Sequence, residues 1–122
     1  MFRFEKLDVW QRAVDHAGQI YAVTRSFPND ERFGLTNQMR RAAVSISPNI
    51  AEGSGRSSDV DFAHFREYAY SSLMEVVSQS TIATRQNFLQ KEPFDRIYAE
   101  SEELARMLSG LRSTLLQRPN VK

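Results

Sequence analysis

Apolar residues recur every three or four positions through four long stretches of this chain, and clusters of glycine, proline and asparagine separate those stretches. That period is one face of an α-helix, and no stretch sustains the alternation of a half-buried strand. A first helix is expected over 8–25, with Leu7, Trp10, Val14, Ala17 and Tyr21 as its apolar stripe and Ala13 and Ile20 alongside. Asp8 complements the dipole at its start, and Pro28 disfavours helical geometry at Phe27, which ends it. A second helix is expected over 36–52, capped by Thr36 after Gly34 and carrying Leu35, Met39, Ala42, Ile46 and Ile50 on one face. Pro48 lies inside that stripe, so it is expected to kink the helix without ending it. Gly53-Ser54-Gly55 then offers a glycine for a left-handed cap.

A third helix is expected over 59–88, with Ser58 as its cap and Asp61 three residues on. Phe62, Phe65, Ala69, Leu73, Val76 and Ala83 supply its core face, and small polar residues from Ser71 to Thr81 let a neighbour approach closely. A fourth is expected over 93–117, where Phe94, Ile97, Ser101, Leu104, Leu108, Leu111 and Leu115 alternate steps of three and four. That is the seam of near-parallel bundle packing. The tail 118–122 is expected to be disordered. Short connections between long helices force antiparallel neighbours, so the reading is one all-α domain over 1–122, an up-down-up-down four-helix bundle. Val9, Phe33, Tyr68 and Tyr70 fall off the assigned stripes, and such surplus apolar surface predicts a homo-oligomer.

Composition changes this picture in two places. The 122 residues include no cysteine, which excludes disulfides, thiolate metal sites and a cysteine nucleophile. No apolar run follows the first charges and none approaches the roughly 18 residues needed to cross a bilayer, so a cytoplasmic protein with no membrane contact is expected. The net charge of +1 does not announce a polyanion partner. Yet lysine occurs only at Lys6, Lys91 and Lys122, and every other basic side chain is arginine, which suits bidentate contacts to phosphate or carboxylate.

Candidate chemistry is sparse. His16 and His64 stand on different helices and are read as solvated. A di-iron bundle needs Glu-x-x-His twice with two further inward glutamates, and that pattern is absent, so neither a metal, a cofactor nor an enzymatic activity is expected. There is no nucleophile elbow and no phosphate loop. Gln38, Arg41, Ser45, Asn49 and Glu52 fall within a sector of roughly 80° beside the apolar stripe of helix two, at about 100° per residue. With Glu75 as a cross-helix partner for Arg41, they read as a structural polar network; a binding groove is the alternative. Arg40, Arg41 and Arg56, with Arg32, are the candidates for contacting nucleic-acid phosphate, although Glu52, Asp59 and Asp61 would blunt the field at Arg56.

Several motifs together resemble the 23S rRNA intervening-sequence protein family of bacterial four-helix bundles. They are Phe4-x-x-Leu7-x-Val9-Trp10, Phe27-Pro28, Glu31-x-Phe33-Gly34-Leu35, Gln38-x-Arg40-Arg41-Ala42-x-x-Ser45-Ile46, Asn49-Ile50-Ala51-Glu52-Gly53-x-x-Arg56 and Phe62-x-x-Phe65-x-x-x-Ala69-x-x-Ser72-Leu73-x-Glu75. The resemblance spans about residues 2–88. It implies a ring-shaped homo-oligomer, with a pentamer suggested by the related accessory proteins of diversity-generating retroelements, which bind nucleic acid and a reverse transcriptase. Ser71 stands where the family often has glycine. The function expected is therefore a non-enzymatic oligomeric bundle that binds RNA, DNA or a ribonucleoprotein weakly and with little sequence preference, with a nucleic-acid-processing protein as a further partner. The alternative is a protein–protein adaptor or assembly scaffold with no nucleic-acid role.

Overall fold

A computed structural model describes the backbone of residues 1–117 and the side chains of residues 1–111; the tail 118–122 and the side chain of Leu115 lie outside the described residues. Four helices form a four-helix bundle: α1 (Asp8–Thr24), α2 (Leu35–Ser54), α3 (Asp59–Arg85) and α4 (Lys91–Gln117). No strand occurs among the described residues. Each helix packs on its two neighbours around the bundle, α1 against α2 and α4, and α3 against α2 and α4. Short 3-10 turns at Arg3–Lys6 and Asn29–Glu31 precede α1 and α2. The first is folded back onto the bundle: Phe4 meets Trp10 edge-on at 5.0 Å, and Arg3 Nη1 donates to the Ser54 carbonyl at 3.1 Å.

The core falls into two clusters along the bundle. One holds Ile20, Met39, Ala43, Val76, Ala83 and Ile97; the other holds Val9, Ala13, Ile46, Ile50, Leu73, Leu104 and Leu108. Fully burying a leucine or isoleucine stabilises by roughly 1.5–3 kcal/mol, so these two layers hold the fold. The expected core faces of α2 and α4 are the buried ones. The face of α1 is not. Val9, Ala13, His16, Ile20 and Thr24 are buried, while Val14 and Tyr21 are about two-fifths exposed. Two phases competed along this helix, and the one that wins contains His16 and Thr24 because both find partners inside. Ser101 Oγ lies 3.1 Å from His16 Nε2, and Thr24 Oγ1 donates to the Ile20 carbonyl at 2.7 Å.

Several element ends differ from expectation: α2 begins at Leu35 with Gly34, not Thr36, in the cap position and no side-chain cap, and Thr36 is buried inside the helix. Residues Gly53 and Ser54 continue α2, and Gly55 at its end is right-handed (φ −86°), so no left-handed glycine cap forms. Gly53 has another role: a Cβ built there would stand 2.7 Å from Phe65 Cβ and 2.8 Å from Phe62 Cδ1, so its missing side chain is what lets α2 and α3 meet. Helix α3 stops at Arg85, not Phe88, because Asn87 turns left-handed (φ 65°), an asparagine-tolerant conformation. Both Phe88 and Leu89 N–H then donate to the Ala83 carbonyl. Helix α4 consequently begins two residues early, with Pro93 in its first turn. Pro48 lies within α2 and does not end it, and Ser58 Oγ caps α3 by accepting from Asp61 N–H at 3.1 Å.

Candidate functional site

The three arginines singled out by sequence lie apart. Arg40 faces α1, where its Nε donates to Thr24 Oγ1 at 2.8 Å and its guanidinium lies over the Tyr21 ring at 4.7 Å. Arg41, one residue on, faces α3. Arg56 is in the α2–α3 connection, about 24 Å along from Arg40 at 1.5 Å per helical residue. It pairs with Glu52 at 3.2 Å and covers Phe65 at 4.7 Å. Both partners of that pair are about half exposed, so it is worth at most about 1 kcal/mol.

The polar sector of α2 divides in a similar way. Gln38, Arg41, Ser45 and Glu75 do come together, bordering with Ala42 and Gln79 a groove of about 290 Å³ between α2 and α3. Arg41 and Glu75 form no ion pair across it. Ser45 Oγ lies 2.9 Å from the Ala42 carbonyl and 2.6 Å from Ser72 Oγ, and Asn49 Nδ2 donates to the Ser45 carbonyl at 2.7 Å. These bonds link α2 to α3 at one point, and the rest is local to α2. Glu52 is remote from the groove and engaged with Arg56.

A different set of arginines converges. Arg25, Arg32 and Arg40 line a cleft of about 260 Å³ where α1 turns into α2, together with Thr24, Phe27, Asn29 and Thr36. No carboxylate lines it. Among the described residues none of these three guanidiniums makes an ion pair. The nearest acid in sequence, Glu31, turns its Oε1 to the Leu35 N–H at 3.1 Å, at the start of α2. Arg25 went unmarked in the sequence because the convergence depends on the path of the connection; the density of arginine from 25 to 41 was its only trace.

This cleft belongs to a basic end of the molecule. Residues 20–45 and 76–97, which surround the first core cluster, carry seven basic and four acidic side chains; the remainder of 1–111 carries six and eleven. Over 1–111 this is +3 around the first cluster and −5 over the remainder; Arg112, Arg118 and Lys122 supply the rest of the chain's net charge of +1. Exposed charges act over a Debye length of about 10 Å at 0.1 M salt, so an approaching polyanion meets the local field and not the chain average.

His16, expected to be solvated, and Arg66, which the sequence did not single out, are both buried. His16 is 2% exposed, not solvated. Its Nδ1 has no partner among the described residues, and desolvation lowers its pKa from 6.5 to about 4. A neutral imidazole is the form this site holds. Arg66 is 4% exposed on the core face of α3: its Nε donates to the Leu108 carbonyl at 2.8 Å, it pairs with Glu67 and it lies over Tyr70 at 4.8 Å. It fastens α3 to α4 and is not available to a ligand. The apolar residues expected outside divide as well: Phe33 and Tyr68 are exposed, Tyr70 is half-buried and Val9 is in the core. Among the described residues no group of three or more His, Asp or Glu side chains is placed to hold a metal, and no helix is long and apolar enough to cross a membrane.

Residues 5–110 match the family described as 23S rRNA-intervening sequence protein. The chain is also similar in structure to a protein of unknown function from the S23 ribosomal protein family of Bacteroides thetaiotaomicron. The TM-score is 0.77 at 21% identity, over 85% of this chain and 97% of that one. At that identity the likeness establishes a shared fold. No curated relative matches the chain.

Proposed function

This chain belongs to the 23S rRNA-intervening sequence protein family, and we propose that it is a non-enzymatic, cytoplasmic bundle that binds nucleic acid through arginine–phosphate contacts at its basic end. The observation that carries this reading is the unpaired convergence of Arg25, Arg32 and Arg40 within the positive half of the molecule. Helical order up-down-up-down is supported by the partners along α1 and α4: His16 meets Ser101, and Gln19, further along α1, bonds Glu100, further back on α4. Assembly into a homo-oligomer, a ring of five by family resemblance, is supported by Tyr68 (57% exposed) and Ile82 (49%) on the outer face of α3. An oligomer would repeat the basic end, and repeated weak sites gain avidity without new contacts. The same exposed residues favour the second reading, an adaptor or scaffold whose partners are proteins.

Affinity for a hairpin RNA and two unrelated duplexes, measured by fluorescence anisotropy between about 50 and 200 mM salt, separates the two readings. Phosphate contacts predict a linear fall of log affinity with log salt and similar values for unlike sequences. Absence of binding at low salt supports the adaptor, and tight binding to one sequence that survives high salt refutes the electrostatic account. A light-scattering mass near 14.0 kDa would remove the oligomer from either reading.

A further inference from the structure

The cleft formed by Arg25, Arg32 and Arg40 stands beside the most exposed aromatic ring among the described residues. Phe33 is 86% exposed, at the end of the α1–α2 connection, and the guanidinium of Arg32 lies 5.4 Å over its ring. Nothing in the fold needs a phenylalanine there, since its burial stabilises nothing within the chain. Accepting the nucleic-acid reading above, we infer that this corner is a site for single-stranded nucleic acid: the cleft takes a backbone phosphate and Phe33 stacks an unpaired base.

The inference follows from how each group is held. Arg40 is fixed in place: Thr24 Oγ1 takes its Nε–H and the Tyr21 ring lies under its plane, which leaves the two terminal nitrogens to bind two phosphate oxygens side by side. Thr24 is itself anchored to the α1 backbone, so this orientation costs little on binding. Arg25 and Arg32 are exposed arms on either side of the connection and carry no internal ion pair that a phosphate would have to break. A cleft of about 260 Å³ floored by Phe27 and Thr36 is smaller than the pockets of roughly 300–1,000 Å³ that enclose whole ligands, so it fits a phosphate group and leaves the attached base outside. Arg32 reaches both parts, lining the cleft while covering Phe33. A free base can stack on such a ring, whereas a base within a duplex already has both faces covered. An arginine groove with an adjacent aromatic platform is the arrangement by which proteins hold single strands without reading sequence.

The two halves of the site have different signatures, which makes the test specific. A short oligothymidylate and a duplex of equal length are titrated against the full chain at two salt concentrations. The expected order is single strand tighter than duplex. Arg25→Gln, at an exposed residue with no ion pair, is expected to reduce the salt slope by roughly 0.7 for the single strand. Phe33→Ala is expected to weaken the single strand by about tenfold, to leave the duplex unchanged and to leave the salt slope unchanged, because stacking releases no counterions. Arg56→Gln, at the far end of α2, is the control and is expected to change neither. Equal affinity for the two forms, or a Phe33→Ala variant as tight as wild type, overturns the single-strand site while leaving phosphate binding intact. A Phe33→Ala variant of lower light-scattering mass overturns it too, by assigning the ring to a subunit contact. No binding of either form overturns the nucleic-acid reading itself.

Discussion

Acidification from pH 7 to pH 4 is expected to remove about 3 kcal/mol of stability through His16 alone, at 1.36 kcal/mol per unit of pKa displacement. The folded protein holds this imidazole with a pKa of about 4, against 6.5 in an open chain, because burial penalises the charged ring. Above pH 6.5 both states are neutral and the group adds no pH dependence. Between 6.5 and 4 the unfolded chain takes up the proton and the folded chain does not, so stability falls throughout that window and levels off below the folded pKa. Inside the bundle Ser101 Oγ is the partner of ring Nε2, and although Asp15 and Glu100 border the same cavity, beside Arg12, burial is what lowers the pKa. His16→Asn keeps a polar group facing Ser101 and removes the titration. Urea melts at pH 7 and pH 4 are expected to show wild type losing about 3 kcal/mol more than this variant, whose remaining loss reports the carboxylates. Equal losses would mean that the ring is protonated without penalty and is not buried as described.

Gly53→Val is expected to cost about 3 kcal/mol, with a fall in Tm of roughly 10 °C. The reason is positional. A methyl group there would come within 2.8 Å of Phe62 and Phe65, and the nearest of those atoms is a Cβ, which moves only if α3 moves. Relief would require the α2–α3 spacing to open, loosening Ile50 and Leu73 in the adjoining core. Gly18 is the control, since a Cβ there meets nothing within 4 Å. Gly18→Ala is expected to gain about 0.5–1 kcal/mol from helix propensity and a stiffer unfolded chain. Thermal denaturation of both variants checks the pair; similar effects at the two glycines would contradict the close approach.

The positions of these two residues show what the sequence could and could not convey. On α2, α3 and α4 apolar residues at helical spacing dominate the buried positions, and the faces expected for all three were legible. On α1 the buried face includes His16 and Thr24 and the phase was misread; on α3 Arg66, Ser72 and Ser80 join the expected apolar residues inside. A polar side chain on the core face counts against the correct phase, and whether it is tolerated depends on a partner on another helix: Ser101 for His16, the Leu108 carbonyl for Arg66. No local pattern contains that partner. Gly53 illustrates a related limit. A glycine after a helical pattern reads as a terminator, whereas here it sits within the helix and marks a contact with Phe62 and Phe65. The end of α3 was misplaced for the converse reason, since Asn87 turns the chain without glycine or proline.

The candidate site was legible in its chemistry but not in its membership. The excess of arginine over lysine was visible, and so was its density around α2. The convergence was not, because it depends on which way neighbouring residues of a helix point. Arg40 and Arg41 are adjacent in the chain and face different helices, while Arg25 and Arg40 meet across a connection. The near-zero net charge pointed away from a polyanion partner because an average does not record that the residues around the first core cluster carry an excess of positive charge.

The central claim is that nucleic acid is taken at the basic end and nowhere else on the bundle. A map of backbone amide perturbations, recorded by NMR as a short oligothymidylate is added at low salt, tests it most directly. The account predicts perturbations concentrated at residues 20–45 and 76–97, strongest from Arg25 to Arg40, with the opposite end unmoved. Perturbations centred on Arg56 and the opposite end, or spread evenly along the bundle, would contradict it.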